Sequence, residues 1–405
     1  MRKFCLPREI YYGNDAISCL NEVSGKRATI CTGGSSMKTH GFLDEVITIL
    51  NRKGIEVDII DQIEPDPSVQ TVLNGAKKMQ KFNPDVIIAI GGGSAIDGAK
   101  AMWIKYEYPN ITFEEMCKVF ALPKLRKKAR FVAIPSTSGT ATEVTAFSVI
   151  TDNEKGIKYP LADYEITPDI AILDTRLTLT MPKKLVAHTG MDAFTHAVEC
   201  YVSTQSSPFT DPLCVHAVKL IMENIYNSYH GDEKARENMH YAQCLAGMAF
   251  SNGLLGIVHS LAHKTGAVFA DLGGHIIHGV ANAMYLPRVI EYNAKNEYAR
   301  EKYLLLCKYL GLGGEDHNQK IQSLINLIVG LCEDMGIPTC IKHCGVNGEV
   351  VKQGFVSEEE FLSRVDDIAE NAFNDACTLS NPRKTSKEDL VEILKCCYYG
   401  KKVEI

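Results

Sequence analysis

Up to Pro182 this chain repeatedly sets a short apolar run, closed by Gly, Ser or Asp, next to a segment with helical spacing; beyond Pro182 the pattern stops. The runs are Ala28-Thr29-Ile30-Cys31, Val57-Asp58-Ile59-Ile60, Val86-Ile87-Ile88-Ala89-Ile90, Phe131-Val132-Ala133-Ile134 and Ile170-Ala171-Ile172-Leu173. Runs this short, with little polar alternation, match strands buried on both faces, as in a parallel sheet. Between them, residues 69–81 and 95–104 space their apolar side chains as a helix does. Parallel neighbours need crossover connections, so the alternation predicts an open α/β sheet. After Pro182, residues 185–202, 212–229, 235–251, 254–268 and 298–310 carry apolar residues at intervals of three and four, with few strand-like runs between them. The reading is an α/β domain over 1–182 and an all-helical domain over 183–405. The boundary falls at Met181-Pro182, where a proline ends one element and opens the next.

Three loops of the first domain bear on binding. Gly91-Gly92-Gly93-Ser94 follows the strand ending at Ile90 and opens a helix. Glycines let the backbone approach a diphosphate, and a helix N-terminus offers free N–H groups and a positive dipole end. The loop is neither G-x-G-x-x-G nor a Walker A sequence. Taken alone, the glycines fit a tight strand-to-helix turn equally well. A second turn, Thr32-Gly33-Gly34-Ser35-Ser36-Met37-Lys38, lies where an NAD-binding strand often ends in an acidic residue for the ribose. With Gly33, Gly34, Ser36 and Lys38 there, and no carboxylate to repel a 2′-phosphate, the turn leans towards NADP; a plain surface turn is the other reading. The third loop, Pro135-Ser136-Thr137-Ser138-Gly139-Thr140-Ala141-Thr142-Glu143, is dense in hydroxyls that serve either a ligand or a helix cap.

The second domain carries the sharper signal. Asp192 and His196 are four apart, as are His259 and His263, and His275 and His278 follow. An interval of four puts two side chains on one helix face. Five of the 12 histidines thus fall in three helix-scale clusters among apolar residues. One carboxylate with two or three imidazoles suits a borderline divalent ion such as Fe²⁺ or Zn²⁺. Thiolate sites fit poorly: Cys340 and Cys344 lack a second pair at zinc-finger spacing, Cys396 and Cys397 are adjacent, and Cys200 reads as packing.

Composition narrows the class. The chain has 405 residues, 45% hydrophobic and 23% charged, which excludes disordered, collagenous and coiled-coil classes. A net charge of −6 argues against a nucleic-acid or anionic-membrane footprint. The first residues, MRKFCLPREIY, show no signal-peptide apolar region, and no stretch approaches the roughly 18 apolar residues of a membrane span. The 14 cysteines are therefore read as reduced, mostly buried thiols of a cytoplasmic protein.

Read in order, Gly91-Gly92-Gly93-Ser94-Ala95-Ile96-Asp97, the loop from Ser136 to Glu143, Gly190-Met191-Asp192 with His196, His259 with His263, and His278-Gly279 with Asn282-Ala283 resemble the iron-containing (group III) alcohol dehydrogenases. The resemblance runs from Leu6-Pro7-Arg8 to Asn381-Pro382-Arg383, and within the family it is nearest to the NADPH-dependent butanol dehydrogenases. It implies an α/β dinucleotide-binding domain, a helical metal-bearing domain, and an active site in the cleft between them. It places the metal ligands on Asp192, His196, His259 and His278, and the diphosphate loop on Gly92, Gly93 and Ser94. Thr137, Ser138 and Thr140 become cofactor contacts, Lys158 lies near the ribose, and Gly33 stands where NAD-using members hold an aspartate. Between His263 and His278 the chain is longer than the usual family spacing, so His275 and His278 compete as last ligand. His278 is preferred, because Gly279-Val280-Ala281-Asn282-Ala283 continues the family pattern.

The resemblance implies hydride transfer between NADP(H) and a small aliphatic primary alcohol or aldehyde such as butanol or butanal, with Fe²⁺ preferred over Zn²⁺. His263 is the candidate for passing a proton to solvent, and Phe250 for an apolar wall beside the substrate. The same implication covers a homodimer or larger homo-oligomer, with neither nucleic acid nor membrane as a partner. Two rivals stand beside this reading. A dehydroquinate-synthase-like lyase on the same scaffold would need basic residues for an anionic substrate, and only Lys264 stands out near the ligands. A catalytically idle nucleotide-binding homologue fits poorly, because every ligand position holds a competent residue.

Overall fold

A computed structural model describes residues 3–154, 157–266 and 268–405. The chain divides into two compact units, Met1–Met181 and Pro182–Ile405.

Unit 1 contains strands β1 (Glu9–Gly13), β2 (Arg27–Thr32), β3 (Glu56–Ile60), β4 (Val86–Gly91), β5 (Arg130–Pro135), β6 (Phe147–Asp152), β7 (Ile157–Ala162) and β8 (Ile170–Asp174). Its helices are α1 (Ser36–Thr39), α2 (Phe42–Arg52), α3 (Val69–Phe82), α4 (Gly93–Glu107), α5 (Phe113–Met116) and α6 (Thr175–Thr178). Six strands form one sheet in the order β1-β8-β5-β4-β2-β3, with every pairing parallel. The five expected strands are all in it. β1 and the antiparallel β6–β7 hairpin were not anticipated. Their side chains are mixed in polarity, and Pro160 inside β7 reads as a strand breaker.

Each central strand serves two cores, because successive side chains point to opposite faces. Ile30, Val86, Ile88, Ile90, Val132 and Ile134 pack with Phe42, Leu43, Val46 and Leu50 of α2. Cys31, Ile87, Ala89, Phe131 and Ala133 face the other way, onto Val72 and Met79 of α3 and Ile96, Ala99 and Trp103 of α4. The connections from β2 and from β4 thus run to opposite sides of the sheet. Adjacent parallel strands whose connections diverge leave a crevice at their carboxyl ends, where ligands of doubly wound sheets bind.

Unit 2 is helical: α7 (Lys183–Val202), α8 (Asp211–His230), α9 (Glu233–Gly253), α10 (Ile257–Thr265), α11 (His278–Asn293), α12 (Glu297–Tyr309), α13 (His317–Asp334), α14 (Glu358–Phe373) and α15 (Lys387–Tyr399). Sixteen residues of α7 are buried, Asp192, His196 and Glu199 among them, so this helix runs through the interior carrying polar groups. Among the described residues, no single helix is long and apolar enough to cross a membrane.

Ile88, fully buried in β4, tests the load on the central strand. Ile88→Ala should cost about 2–5 kcal/mol of stability. The check is urea unfolding followed by the emission of Trp103, the single tryptophan, which is also fully buried. The midpoint should fall while the slope stays the same.

Candidate active site

In unit 1 the three loops singled out by sequence follow β2, β4 and β5, neighbours in the sheet, at their carboxyl ends. The Ser136 N–H donates to the Gly91 carbonyl at 2.8 Å, tying two of the loops together. A Cβ on Gly93 would lie 2.7 Å from Thr140 Oγ1, and one on Gly92 would lie 3.6 Å from the Thr137 methyl. The glycines therefore allow the hydroxyl loop to close over the start of α4. No side chain caps α4 at Gly92, and the Ala95 and Ile96 N–H groups turn back to the Gly92 carbonyl, so the N–H groups at the helix start are those of Gly93 and Ser94.

The other predicted contacts are placed less closely. Gly33 follows β2, and a Cβ there would lie 2.6 Å from the Ile63 carbonyl oxygen. Gly34 takes φ +57°, and Gly34, Ser36 and Lys38 are exposed. Ser138 is buried. Lys158, on β7, pairs with Asp66 at 3.0 Å, and the Asp66 N–H donates to Ser94 Oγ at 3.3 Å, which sets the lysine one residue away from the glycine loop.

In unit 2 three imidazoles converge on one carboxylate oxygen. His196 Nε2, His259 Nε2 and His278 Nε2 lie 3.7, 3.6 and 3.4 Å from Asp192 Oδ1. Asp192 and His196 come from α7, His259 from α10 and His278 from the first position of α11. His278 gets there because Gly279 lets α11 press onto α7: a Cβ at Gly279 would sit 2.0 Å from the His188 carbonyl oxygen. His275 is exposed and precedes the helix.

Each imidazole is held differently. His259 Nδ1 faces Glu199 Oε2 at 2.6 Å, while Glu199 Oε1 accepts the Val258 N–H at 2.7 Å. Glu199 thus caps α10 from α7 and fixes the ring of its third residue. His196 has no hydrogen-bond partner for Nδ1; it is stacked between the rings of Phe250, at 4.3 Å, and His259, at 4.6 Å. His278 is nearly parallel to His263, with centroids 5.4 Å apart. Asn282 Nδ2 lies 2.8 Å from Asp192 Oδ1, 3.2 Å from His278 Nε2 and 3.3 Å from His259 Nε2, and its own Oδ1 is buried without a partner.

Burial opposes the charged forms of His196, Asp192 and His259. It holds His196 down to about 3, so this ring is neutral. It also opposes the charged form of Asp192, but the attraction of the imidazoles around it and the hydrogen bonds with His259 and His278 outweigh burial and keep the carboxyl well below the ordinary range. Burial works against His259⁺ too, yet the hydrogen bonds to Asp192 and Glu199 win and raise it to about 9.

His263 stands beside the cluster with 36% of its side chain exposed. Protein encloses its remaining sides, and that burial lowers its pKa although Asp375 Oδ2 lies 3.4 Å from Nδ1. The Lys264 ammonium is 3.0 Å from the same Asp375 oxygen. His263, Asp375 and Cys377 also group their donor atoms within 4.8 Å, but the ammonium already compensates that carboxylate.

Glu199, Asn282 and Asp375 are site residues that the sequence reading did not assign. Glu199 had a signal: it follows Asp192 by seven and His196 by three, on one face of an otherwise apolar helix. Asp375 had none, being 112 residues from His263.

Two family models match the chain, "Iron-containing alcohol dehydrogenase" over residues 7–175 and "Fe-containing alcohol dehydrogenase family, C-terminal" over residues 186–398. The chain belongs to the iron-containing alcohol dehydrogenase family. It is 55% identical over 404 residues to the NADPH-dependent butanol dehydrogenase of Clostridium saccharobutylicum, covering 100% of both chains. It is 40% identical to the bifunctional aldehyde-alcohol dehydrogenase AdhE of Escherichia coli, where it covers 98% of this chain but spans only 46% of that larger relative. Among solved structures, an iron-containing alcohol dehydrogenase from Thermococcus thioreducens aligns with a TM-score of 0.87 at 36% identity, over 98% of this chain and 100% of that one. The chain is accordingly an alcohol dehydrogenase, an oxidoreductase acting on CH–OH groups, with the α/β and helical architecture of this family.

The donor cluster fits a divalent ion of the kind the family name implies. Nitrogen and oxygen donors sharing such an ion at about 2.1 Å stand about 3–3.5 Å apart, close to the spacing seen here. Once His259 Nε2 gives up its proton, the Asn282 amide has two N–H groups for three acceptor atoms, so the deprotonated cluster presents more lone pairs than its own donors satisfy.

Two outcomes follow for this alcohol dehydrogenase. Glu199→Gln removes the charge that orients His259 and should weaken ion binding about 10–100-fold; competition against a chelator of known affinity measures it. Without a bound ion, the His259 proton persists to about pH 9, so an ion entering at neutral pH must displace it. Apparent affinity should rise about tenfold per pH unit from neutrality towards 9 and then level off, with about one proton released per ion. Calorimetry in two buffers of different ionisation enthalpy counts that proton.

Proposed function

We propose that this protein transfers hydride between NADP(H) and a small aliphatic primary alcohol or aldehyde, of which butanol and butanal are examples, with one divalent ion, Fe²⁺ in preference to Zn²⁺. The observation that carries the reading is the meeting of three imidazole nitrogens on Asp192 Oδ1. The Clostridium saccharobutylicum relative, named an NADPH-dependent butanol dehydrogenase, supports the cofactor and the substrate class. The absence of a carboxylate at Gly33 and Gly34 supports NADP over NAD, since nothing on that turn repels a 2′-phosphate.

When bound, the ion supplies Lewis-acid polarisation of a hydroxyl or carbonyl oxygen, and the dinucleotide supplies the hydride acceptor or donor. Asp192, His196, His259 and His278 hold the ion with oxygen and nitrogen donors alone. Glu199 keeps the His259 Nδ1 proton and so turns Nε2 towards the ion. Gly92, Gly93, Ser94, Thr137, Ser138 and Thr140 receive the cofactor through backbone N–H groups and hydroxyls, with Lys158 as a nearby cation. Phe250 covers the open face of His196 and keeps water from it. His263 donates its Nδ1 proton towards Asp375, which leaves Nε2 to accept the proton of an alcohol and pass it to solvent at the ring's exposed edge. The mainly apolar setting of His196 and His259 suits a neutral substrate better than an anionic one.

Absorbance at 340 nm should fall when the metal-loaded protein meets NADPH and butanal, with kcat/KM for NADPH above that for NADH. His259→Ala should lose both the ion and turnover. Full activity in metal-free His259→Ala, or a preference for NADH, would contradict the corresponding part of the reading.

A further inference from the structure

One turn into α4 from the glycine loop lie two ionisable side chains that the chemistry above does not use. Lys100 is fully buried, and its Nζ donates to the carbonyls of Thr145 at 2.7 Å and Phe147 at 3.0 Å. Asp97 accepts the Val149 N–H on Oδ2 at 3.2 Å, its carbonyl accepts the Ser148 hydroxyl at 2.9 Å, and its carboxylate bonds the Thr142 side chain. Glu143, fully buried, adds a second carboxylate towards Lys100. Burial pushes Asp97 up and Lys100 down, against their mutual attraction. Ionisable groups are rarely buried without a partner that requires them there.

What these groups grip is residues 142–149, the continuation of the hydroxyl loop. Thr142 Oγ1 lies 3.2 Å from Thr140 Oγ1, and Thr140 is the side chain that a Cβ on Gly93 would strike. Between them Ala141 is held at φ +53°, a left-handed conformation that a residue with a Cβ keeps only under constraint from its surroundings.

We propose that Asp97, Lys100 and Thr142 are positioning residues for the dinucleotide: α4 clamps residues 142–149 and, through Thr142, presets Thr140 of the hydroxyl loop beside the glycine loop. The inference rests on reading Gly92, Gly93 and Ser94 as the diphosphate loop. A preset loop has less conformational freedom to lose when the cofactor binds, so breaking the clamp appears in cofactor affinity and leaves the ion site and the chemical step untouched. The clamp also gives the hydroxyl loop its shape without placing a charged side chain at the diphosphate.

The test titrates NADPH, by its own fluorescence, into full-length metal-loaded protein. The variants are Asp97→Asn, Thr142→Val, Thr142→Ser, the Asp97→Asn/Thr142→Val double variant and Gly93→Ser. Asp97→Asn and Thr142→Val should each raise the Kd for NADPH about tenfold. Thr142→Ser, which keeps the hydroxyl, should bind as wild type, and the double variant should be little worse than either single one. Metal content, and kcat at saturating NADPH, should not change. A merely structural role would instead lower the melting temperature and leave the NADPH affinity of the folded protein alone; that result overturns the proposal. Thr142→Val conserves shape and carries the test if Asp97→Asn does not fold. Gly93→Ser separates the two layers. If it binds NADPH as wild type does, the diphosphate loop is misassigned and the clamp falls with it. If it loses NADPH while Asp97→Asn and Thr142→Val retain it, the loop stands and the clamp alone is wrong.

Discussion

The helical unit is organised around a single carboxylate oxygen, Asp192 Oδ1, buried among imidazoles. A charge taken out of water is stable only when other groups replace the lost hydration. Here the replacement comes from three histidines on three helices and from the Asn282 amide. The proton that Asp192 and Glu199 hold on His259 keeps the cluster compensated until a cation displaces it. Ion binding then releases one proton and brings in two positive charges within a ready frame, and the Asp192 and Glu199 carboxylates together balance both. The frame explains local features far from the oxygen: Gly279, where α11 meets the His188 carbonyl, and Glu199, which caps α10 as it turns His259.

The α/β unit solves a different problem with neutral groups. At the carboxyl ends of β2, β4 and β5 it offers glycines, hydroxyls and an uncapped helix start. Its ionisable groups, the half-buried Asp97 and the fully buried Lys100 and Glu143, lie beneath the loops and shape them from behind. An anion is thus met by N–H dipoles whose positions are fixed by packing, while the ionic groups act on the backbone.

Much of this was legible in the chain. The strands β2, β4, β5 and β8 announced themselves because a strand buried on both faces has no polar alternation to hide it, and the edge strand β3 by its short apolar run; helical spacing paired Asp192 with His196 and His259 with His263, while the set that includes His278 came from the family resemblance. Of the two histidines that competed in the sequence, His278 reaches Asp192 and His275 faces solvent. Less was legible where the partner is distant in sequence or the element lacks an apolar signature. The β6–β7 hairpin has mixed side chains and a proline, and Asp375 reaches His263 across 112 residues. Glu199 was within reach of helical spacing, but a carboxylate in an apolar run reads as an isolated residue until α10 is seen to begin against it.

Cysteine is absent from the four-donor cluster, although the chain has 14 of them and ten are buried. The account therefore makes a sharp statement about the ion's surroundings. X-ray absorption at the metal edge of protein loaded with one equivalent of Fe²⁺ under anaerobic conditions addresses it directly. A shell of nitrogen and oxygen atoms alone, with the multiple scattering of coordinated imidazoles and its loss in His259→Ala, is the predicted result. A sulfur shell at about 2.3 Å, or an unaltered spectrum in that variant, would place the ion elsewhere and contradict the account.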